Sequence, residues 1–299
     1  MTSREKTVAV DIAQAAGRML REELGRPRRI ELKDSPINLV TEMDPRAEAL
    51  IVERLRREFP DDAILAEERG ASGGRSGRRW IIDPLDGTTN CAHGLPIFAV
   101  SIALEDRHGI ALGVIHDPNQ RETFTAERGG GAYLNGERLA VSATKRLNES
   151  LLATGFPYNI RESPQTNLPE YGAFSLRSRG VRRMGSAVLY LAYVAAGRVD
   201  GYWELRLGPW DAAAGSLMVE EAGGRVTSLT GGALNLMAPE IVATNGHIHD
   251  EMLETLREVQ APARRRRRST TSGPALRRAR PGSPRGSSRG ARPSGRTPR

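Results

Sequence analysis

Apolar residues first fall into a helical rhythm. Val8, Ile12, Ala15 and Met19 recur at alternating four- and three-residue steps behind a capping Ser3, which predicts an amphipathic helix over 3–24. Residues 28–42 read as extended, with a turn at Ser35-Pro36. Asp44-Pro45, a cap followed by proline at the first helical position, opens a second helix that carries Ala47, Leu50, Ile51 and Leu55 inward and ends near Phe59-Pro60. The pattern then changes. Short strand-like runs at 97–104, 109–116, 121–126 and 138–141 are separated by turn residues, and Asn135-Gly136 is a hairpin signal. Gly129-Gly130-Gly131 lies between strands and is read as a connection, not a phosphate loop. Further strands are expected at 150–154, 181–184, 199–204, 224–229 and 240–244, and helices at 186–196, 209–222 and 247–259. Strands in runs broken by isolated helices favour a layered α+β fold over a doubly wound parallel sheet.

Composition changes this picture at one end only. The net charge of +8 on 299 residues suggests a basic protein, but residues 261–299 hold 13 arginines, no lysine and no acid. The body 1–260 keeps 31 basic residues against 36 acidic ones and is mildly acidic. The domain reading is therefore a folded unit over 1–260 and an Arg/Pro/Ser/Gly-rich segment over 261–299, which lacks the apolar surface to offset its ordering entropy and is expected to be disordered. That segment offers a non-specific, salt-dependent RNA contact, without interleaved aromatics for base stacking. No apolar run reaches membrane-spanning length, and the N-terminus lacks a signal core, so a cytoplasmic protein is expected. Cys91 is the single cysteine, which excludes an internal disulfide and is read as packing. The five histidines show no metal-ligand spacing.

Candidate chemistry gathers at four acidic stations: Asp44, Glu67-Glu68, Asp83 with Asp86, and Asp211. Taken singly, each has a plain reading: Asp83 and Asp86 form a turn, Glu67-Glu68 faces solvent, Asp211 or Thr88 caps a helix, and Lys33 is a surface charge. Together they describe oxygens aimed at one point, which would repel one another unless divalent cations neutralise them. Gly87-Thr88-Thr89, if it opens a helix, offers backbone N–H groups to a phosphate beside the metals.

The residues that carry a family resemblance are Trp80-Ile81-Ile82-Asp83-Pro84-Leu85-Asp86-Gly87-Thr88-Thr89-Asn90 and Trp210-Asp211-Ala212-Ala213-Ala214-Gly215. Leu39-Val40-Thr41 with Asp44, the Glu67-Glu68 pair and Gly185-Ser186-Ala187 extend it, so that it covers about residues 5 to 259. On these the chain resembles the inositol monophosphatase family. The resemblance implies the layered α/β/α/β/α sandwich of the inositol monophosphatase and sugar phosphatase type. It also implies two to three Mg2+ ions, a small-molecule phosphate ester as substrate and a homodimer. It assigns Glu67, Asp83, the Leu85 carbonyl, Asp86 and Asp211 to the metals. Thr88 and Asp44 would orient and deprotonate a metal-activated attacking water, with Glu67 counted among the catalytic residues. Gly87, Thr88, Gly185, Ser186, Ala187, Glu204 and Lys33 would meet the substrate. Tyr190 departs from the Asp or Asn of many bacterial members, and Ala66 replaces a frequent glycine. The expected activity is hydrolysis of a small polyol phosphate, inositol monophosphate first; the alternatives are a related phosphatase acting on fructose 1,6-bisphosphate, histidinol phosphate or NADP, or an RNA-associated protein acting through its Arg-rich tail. A phosphatase using an Asp-x-Asp nucleophile is disfavoured, because two residues separate Asp83 from Asp86.

Overall fold

A computed structural model describes residues 3–26, 30–33 and 37–270. The Ser35-Pro36 turn lies outside the described residues, as does the segment from 271 onward, including most of the stretch expected to be disordered and to contact RNA. The layered body ends at Ala261, and the chain beyond it forms a separate unit.

The fold is α+β and layered, as the run-and-break pattern predicts. Helices α1 (Ser3–Glu23) and α2 (Met43–Glu58) come first, with a two-stranded ribbon of β1 (Ile30–Leu32) and β2 (Leu39–Thr41) between them. They cover one face of an eight-stranded sheet. Its strands are β3 (Ala63–Ala66), β4 (Gly70–Ser72), β5 (Arg79–Asp86), β6 (Ala99–Asp106), β7 (Gly109–Asp117), β8 (Glu122–Glu127), β9 (Gly131–Leu134) and β10 (Glu137–Arg138). Short α3 (Thr88–Ala92) follows β5. A five-stranded sheet is built from β11 (Leu151–Thr154), β12 (Gly180–Arg182), β13 (Gly201–Glu204), β14 (Arg225–Ser228) and β15 (Ile241–Thr244). Helices α5 (Ala187–Ala195) and α6 (Pro209–Glu221) pack against the inner core, while α4 (Leu168–Arg177) and α7 (His249–Thr270) complete the chain.

Alternation along the strands sorts side chains into layers, because successive residues face opposite sides of a sheet. On β5, Trp80 and Ile82 join the core under α1 and α2, whereas Ile81 joins the core shared with α5 and α6. On β13, Tyr202 faces that inner core, whereas Trp203 faces a third cluster with Phe174 and the α7 residues Met252, Leu253 and Leu256. The Phe174 and Trp203 rings lie 4.3 Å apart. Each such fully buried large side chain contributes about 1.5–3 kcal/mol.

Two glycines allow the inner layer to close. A Cβ on Gly113 of β7 would come within 2.7 Å of the Ala214 carbonyl oxygen, and one on Gly215 within 2.4 Å of Leu191. Backbone therefore meets side chain and backbone directly where α6 crosses β7 and α5.

Several expectations are corrected. Helix α2 begins at Met43, so Asp44 lies inside its first turn and is not the cap; its carboxylate turns back to Thr41 and Thr88. Strand β5 does not stop before the acidic pair but runs through it. The hairpin at Asn135-Gly136 joins β9 to β10, which is only 137–138 long, not 138–141. Strands β4 and β9 and helix α4 were not expected, and α7 continues beyond 259.

Candidate metal centre

The acidic pair is made by a local irregularity. Strand β5 pairs with β6 through Asp83 opposite Ser101 and Asp86 opposite Ala99, so β5 carries one residue more than its partner across this step. Residues three apart on a regular strand face opposite sides; a bulge with one extra residue brings both to the same side. Pro84, with no N–H to donate, suits the break in the ladder. The Leu85 N–H closes the bulge on Asp83 Oδ1 at 2.9 Å. Gly87 then turns the chain at φ 99°, in the left-handed region, and a Cβ there would sit 2.8 Å from the Ile97 carbonyl oxygen. Only glycine fits.

Asp211 reaches the same place from the first turn of α6. One of its oxygens, Oδ2, accepts the Gly208 N–H at 2.6 Å, so the helix-capping role and proximity to the β5 aspartates coexist in one side chain. Asp83, Asp86 and Asp211 each offer one oxygen within 4.8 Å of the others. Such an all-oxygen set suits a hard divalent cation.

The electrostatics support that fit. Burial, followed by Glu67, Asp86 and Asp211, pushes the Asp83 carboxyl well above the usual range. Burial and the neighbouring acids Asp86 and Glu67 do the same to Asp211. Asp86 is pushed up to about 6 by burial, although the Ser186 hydroxyl and the Val188 N–H, the latter at 3.0 Å, donate to its Oδ2. Without a cation, burial and mutual repulsion hold Asp83 and Asp211 toward the neutral form more than usual carboxylates.

Glu67 stands beside this trio rather than within it. It lies in the turn after β3 and is pushed up to about 7 by burial. Its Oε1 accepts from Lys33 Nζ at 2.8 Å, and Glu68 accepts from the same ammonium. Burial opposes the Lys33 charge, but the two glutamates outweigh it and raise the Lys33 pKa. Glu48, fully buried on α2, accepts the Glu68 N–H at 2.8 Å and so fixes the turn that carries Glu67.

Asp44 and Thr88 meet directly. Thr88 Oγ1 lies 2.8 Å from Asp44 Oδ1 and 3.0 Å from the Leu85 carbonyl, with one proton to give to either. Asp44 Oδ2 accepts both the N–H and the hydroxyl of Thr41. The Asp44 carboxylate is thus fixed from Thr41 on one oxygen and meets Thr88 on the other.

Glu204 ends β13 on the other side. It is buried, pushed up to about 7 by that burial, and Tyr202 Oη donates to its Oε2 at 2.6 Å. Gly155 lies against it so closely that a Cβ would fall 2.0 Å from Glu204 Oε1. Gly185, at φ 83°, and Ser186 precede α5, whose first residue is Ala187. Cys91 is buried in the core under α1 and α2.

Three contributors were missed. Asn90 Nδ2 donates to the Met184 carbonyl at 2.6 Å and ties the first signature to the 184–186 turn; its place inside that signature was the available signal. Tyr158 is about half exposed, yet it lies in the field of Asp86, Asp211, Glu67 and Asp83, and burial together with those charges raises its pKa. Tyr202 supports Glu204 from two residues away on the same strand. Nothing in the local pattern around Tyr158 signals its position.

A layered α+β frame holding an acidic trio around one point fits a metal-dependent phosphatase class. The chain belongs to the inositol monophosphatase family, whose sequence model matches residues 2–261. It is similar to Nus factor SuhB of Salmonella typhimurium, 43% identical over 262 residues, covering 87% of this chain and 98% of the relative. It is also similar to inositol-1-monophosphatase of Synechocystis, 44% identical over 250 residues, covering 83% and 87%. The crystal structure of extragenic suppressor protein suhB from Bartonella henselae superimposes with a TM-score of 0.81 at 43% identity, covering 85% of this chain and 99% of that one. Among the described residues no helix is long and apolar enough to cross a membrane.

Proposed function

We propose that the protein hydrolyses the phosphate monoester of a small polyol, inositol monophosphate first, with two to three Mg2+ ions. The observation that carries the substrate class is Glu204: a buried carboxylate in the field of Asp86 and Asp211, held by Tyr202, at the position to which the family resemblance assigns a sugar hydroxyl. Asp83, Asp86, Asp211, Glu67 and the Leu85 carbonyl would hold the metal. When bound, Mg2+ supplies charge neutralisation for the phosphoryl group and lowers the pKa of water.

The chain's own groups supply the rest. Thr88 Oγ1 positions the attacking water, and Asp44, to which that hydroxyl is bonded, is the group able to take up its proton. Gly87 and Thr88 N–H groups meet the phosphate, and Ser186 with Ala187 lines the alcohol side. Lys33 supplies positive charge to Glu67 and Glu68. Phosphoryl transfer needs positioning and charge compensation more than covalent help, so no enzyme nucleophile is required.

Phosphate release from a panel of inositol 1-phosphate, fructose 1,6-bisphosphate, histidinol phosphate and NADP, with Mg2+ and with chelator, tests this reading. Inositol phosphate should turn over fastest and chelator should stop it. Preference for NADP or histidinol phosphate would overturn the substrate, and full activity in chelator would overturn the metal. The homodimer is a further proposal, read by light scattering. Deletion of 261–299 should leave turnover unchanged while removing any RNA retention.

A further inference from the structure

We propose that Tyr190 is a positioning residue that sets the selectivity of the alcohol side of the site. The inference rests on the phosphatase reading above and deepens it.

Tyr190 is an aromatic residue on the apolar helix α5 and is 1% exposed. Its phenol oxygen accepts the backbone N–H of Met184 and, at 2.8 Å, the N–H of Gly185. Two consecutive N–H groups of the turn before α5 thus point inward and end on one side-chain atom. The opposite side of that turn is held by Asn90, which donates to the Met184 carbonyl. A Cβ on Gly185 would lie 3.0 Å from the Asn90 amide, so the turn is gripped from both sides. The next residue, Ser186, donates its hydroxyl to Asp86. Ser186 is thus anchored to the carboxylate trio by its own hydroxyl, while Tyr190 fixes residues 184 and 185 before it.

The Tyr190 ring reaches the other wall. It lies 5.3 Å from the Tyr202 ring, and the Tyr202 hydroxyl is the donor to Glu204. One side chain thereby braces both the 184–186 turn and the carboxylate that would read polyol hydroxyls. Burial keeps the phenol neutral, so it remains an uncharged acceptor. Its recorded hydrogen bonds go to the turn rather than to Thr88, Asp44 or Gly87, so the distance between the walls, not the chemical step, depends on it.

Tyr190→Phe removes one oxygen and keeps the ring. Two partly buried N–H groups lose their acceptor, and the turn relaxes toward other partners. The KM for inositol 1-phosphate should rise about tenfold, the size of effect that two partly solvated hydrogen bonds together produce. Its kcat and the KM for p-nitrophenyl phosphate, whose alcohol bears no extra hydroxyl, should each stay within about twofold. An equal change for both esters would mark a merely structural role and overturn the proposal, as would no change for either. If Tyr190→Phe lacks a cooperative unfolding transition, Asn90→Ser opens the same turn from its other side and is read in the same way. Wild-type protein that releases phosphate from neither ester would instead remove the phosphatase reading itself.

Discussion

At the residue scale, the proposed site places single side chains between two partners. Thr88 Oγ1 lies within donor distance of Asp44 and of the Leu85 carbonyl, within the stretch that carries Asp83 and Asp86. Thr88→Ala should lower kcat about 100-fold or more, the span ascribed to positioned proton transfer, while the thermal unfolding midpoint stays within a few degrees. Retained turnover would separate Thr88 from the chemistry. Gly155 makes a steric statement of the same kind. Gly155→Ala would press a methyl group into Glu204, which the Tyr202 bond holds in place. Its KM for a polyol phosphate should rise about tenfold, with a stability loss of about 1–3 kcal/mol from overpacking, measured by steady-state kinetics beside thermal unfolding. Residue chemistry was the most legible level. The four acidic stations, Thr88 and Glu204 were all named from spacing and resemblance; the structure brings Asp83, Asp86 and Asp211 together and bonds Thr88 to Asp44. Asn90 was quoted only as part of the signature, and Tyr158 and Gly155 were not named, because their contributions depend on which distant strands and turns they meet.

At the element scale, the strand that bears Asp83 and Asp86 was expected to end in a turn. It continues through a bulge instead, and the bulge is what directs both carboxylates to one side. Sequence patterning registers alternation, whereas an inserted residue is defined only against the partner strand, here β6. Helix α4 was invisible for a related reason: Leu168 and Leu176 are exposed, and of its hydrophobic residues Phe174 alone is fully buried, so little apolar periodicity exists to read. The closest approach between elements also depends on a partner. Gly113→Val would drive a branched side chain into the backbone of α6 at Ala214. A loss of about 1–3 kcal/mol, measured by urea unfolding, is expected from overpacking. Because α6 carries Asp211, activity in this variant should fall further than stability alone accounts for. A variant of wild-type stability and activity would show that α6 is free to move away from β7.

At the scale of the whole molecule, the pocket costs stability when its charges are uncompensated. Asp86, Glu67 and Glu204 are pushed up to about 6 or 7, and Asp83 and Asp211 are raised well above the usual carboxylate range. A carboxyl group whose folded pKa is raised adds stability below its unfolded value and loses it as pH rises through the folded value. In chelator, this set should therefore withdraw stability as pH rises from about 5 to about 8. His116 and His249, pushed down to about 4 by burial, act in the opposite sense: their contribution is full above about 6.5 and is lost as pH falls toward 4. Mg2+ addresses only the carboxylates. The gain in urea midpoint on adding Mg2+ should grow steadily between about pH 5 and about pH 8, and a gain independent of pH would contradict the assignment. Layering was legible at this scale because strands in runs separated by helices leave few ways to cover two sheets. The charge of the molecule was equally legible, once its arginines were seen to be concentrated at one end.

The central claim is that Asp83, Asp86 and Asp211 form one cation cage. Calorimetric titration of Mg2+ into the full chain, beside Asp83→Asn and Asp211→Asn, tests it most directly. Saturable binding to the wild type, lost or weakened by more than about 100-fold in both folded variants, is the predicted result. Binding of unchanged strength and stoichiometry in either variant would contradict it.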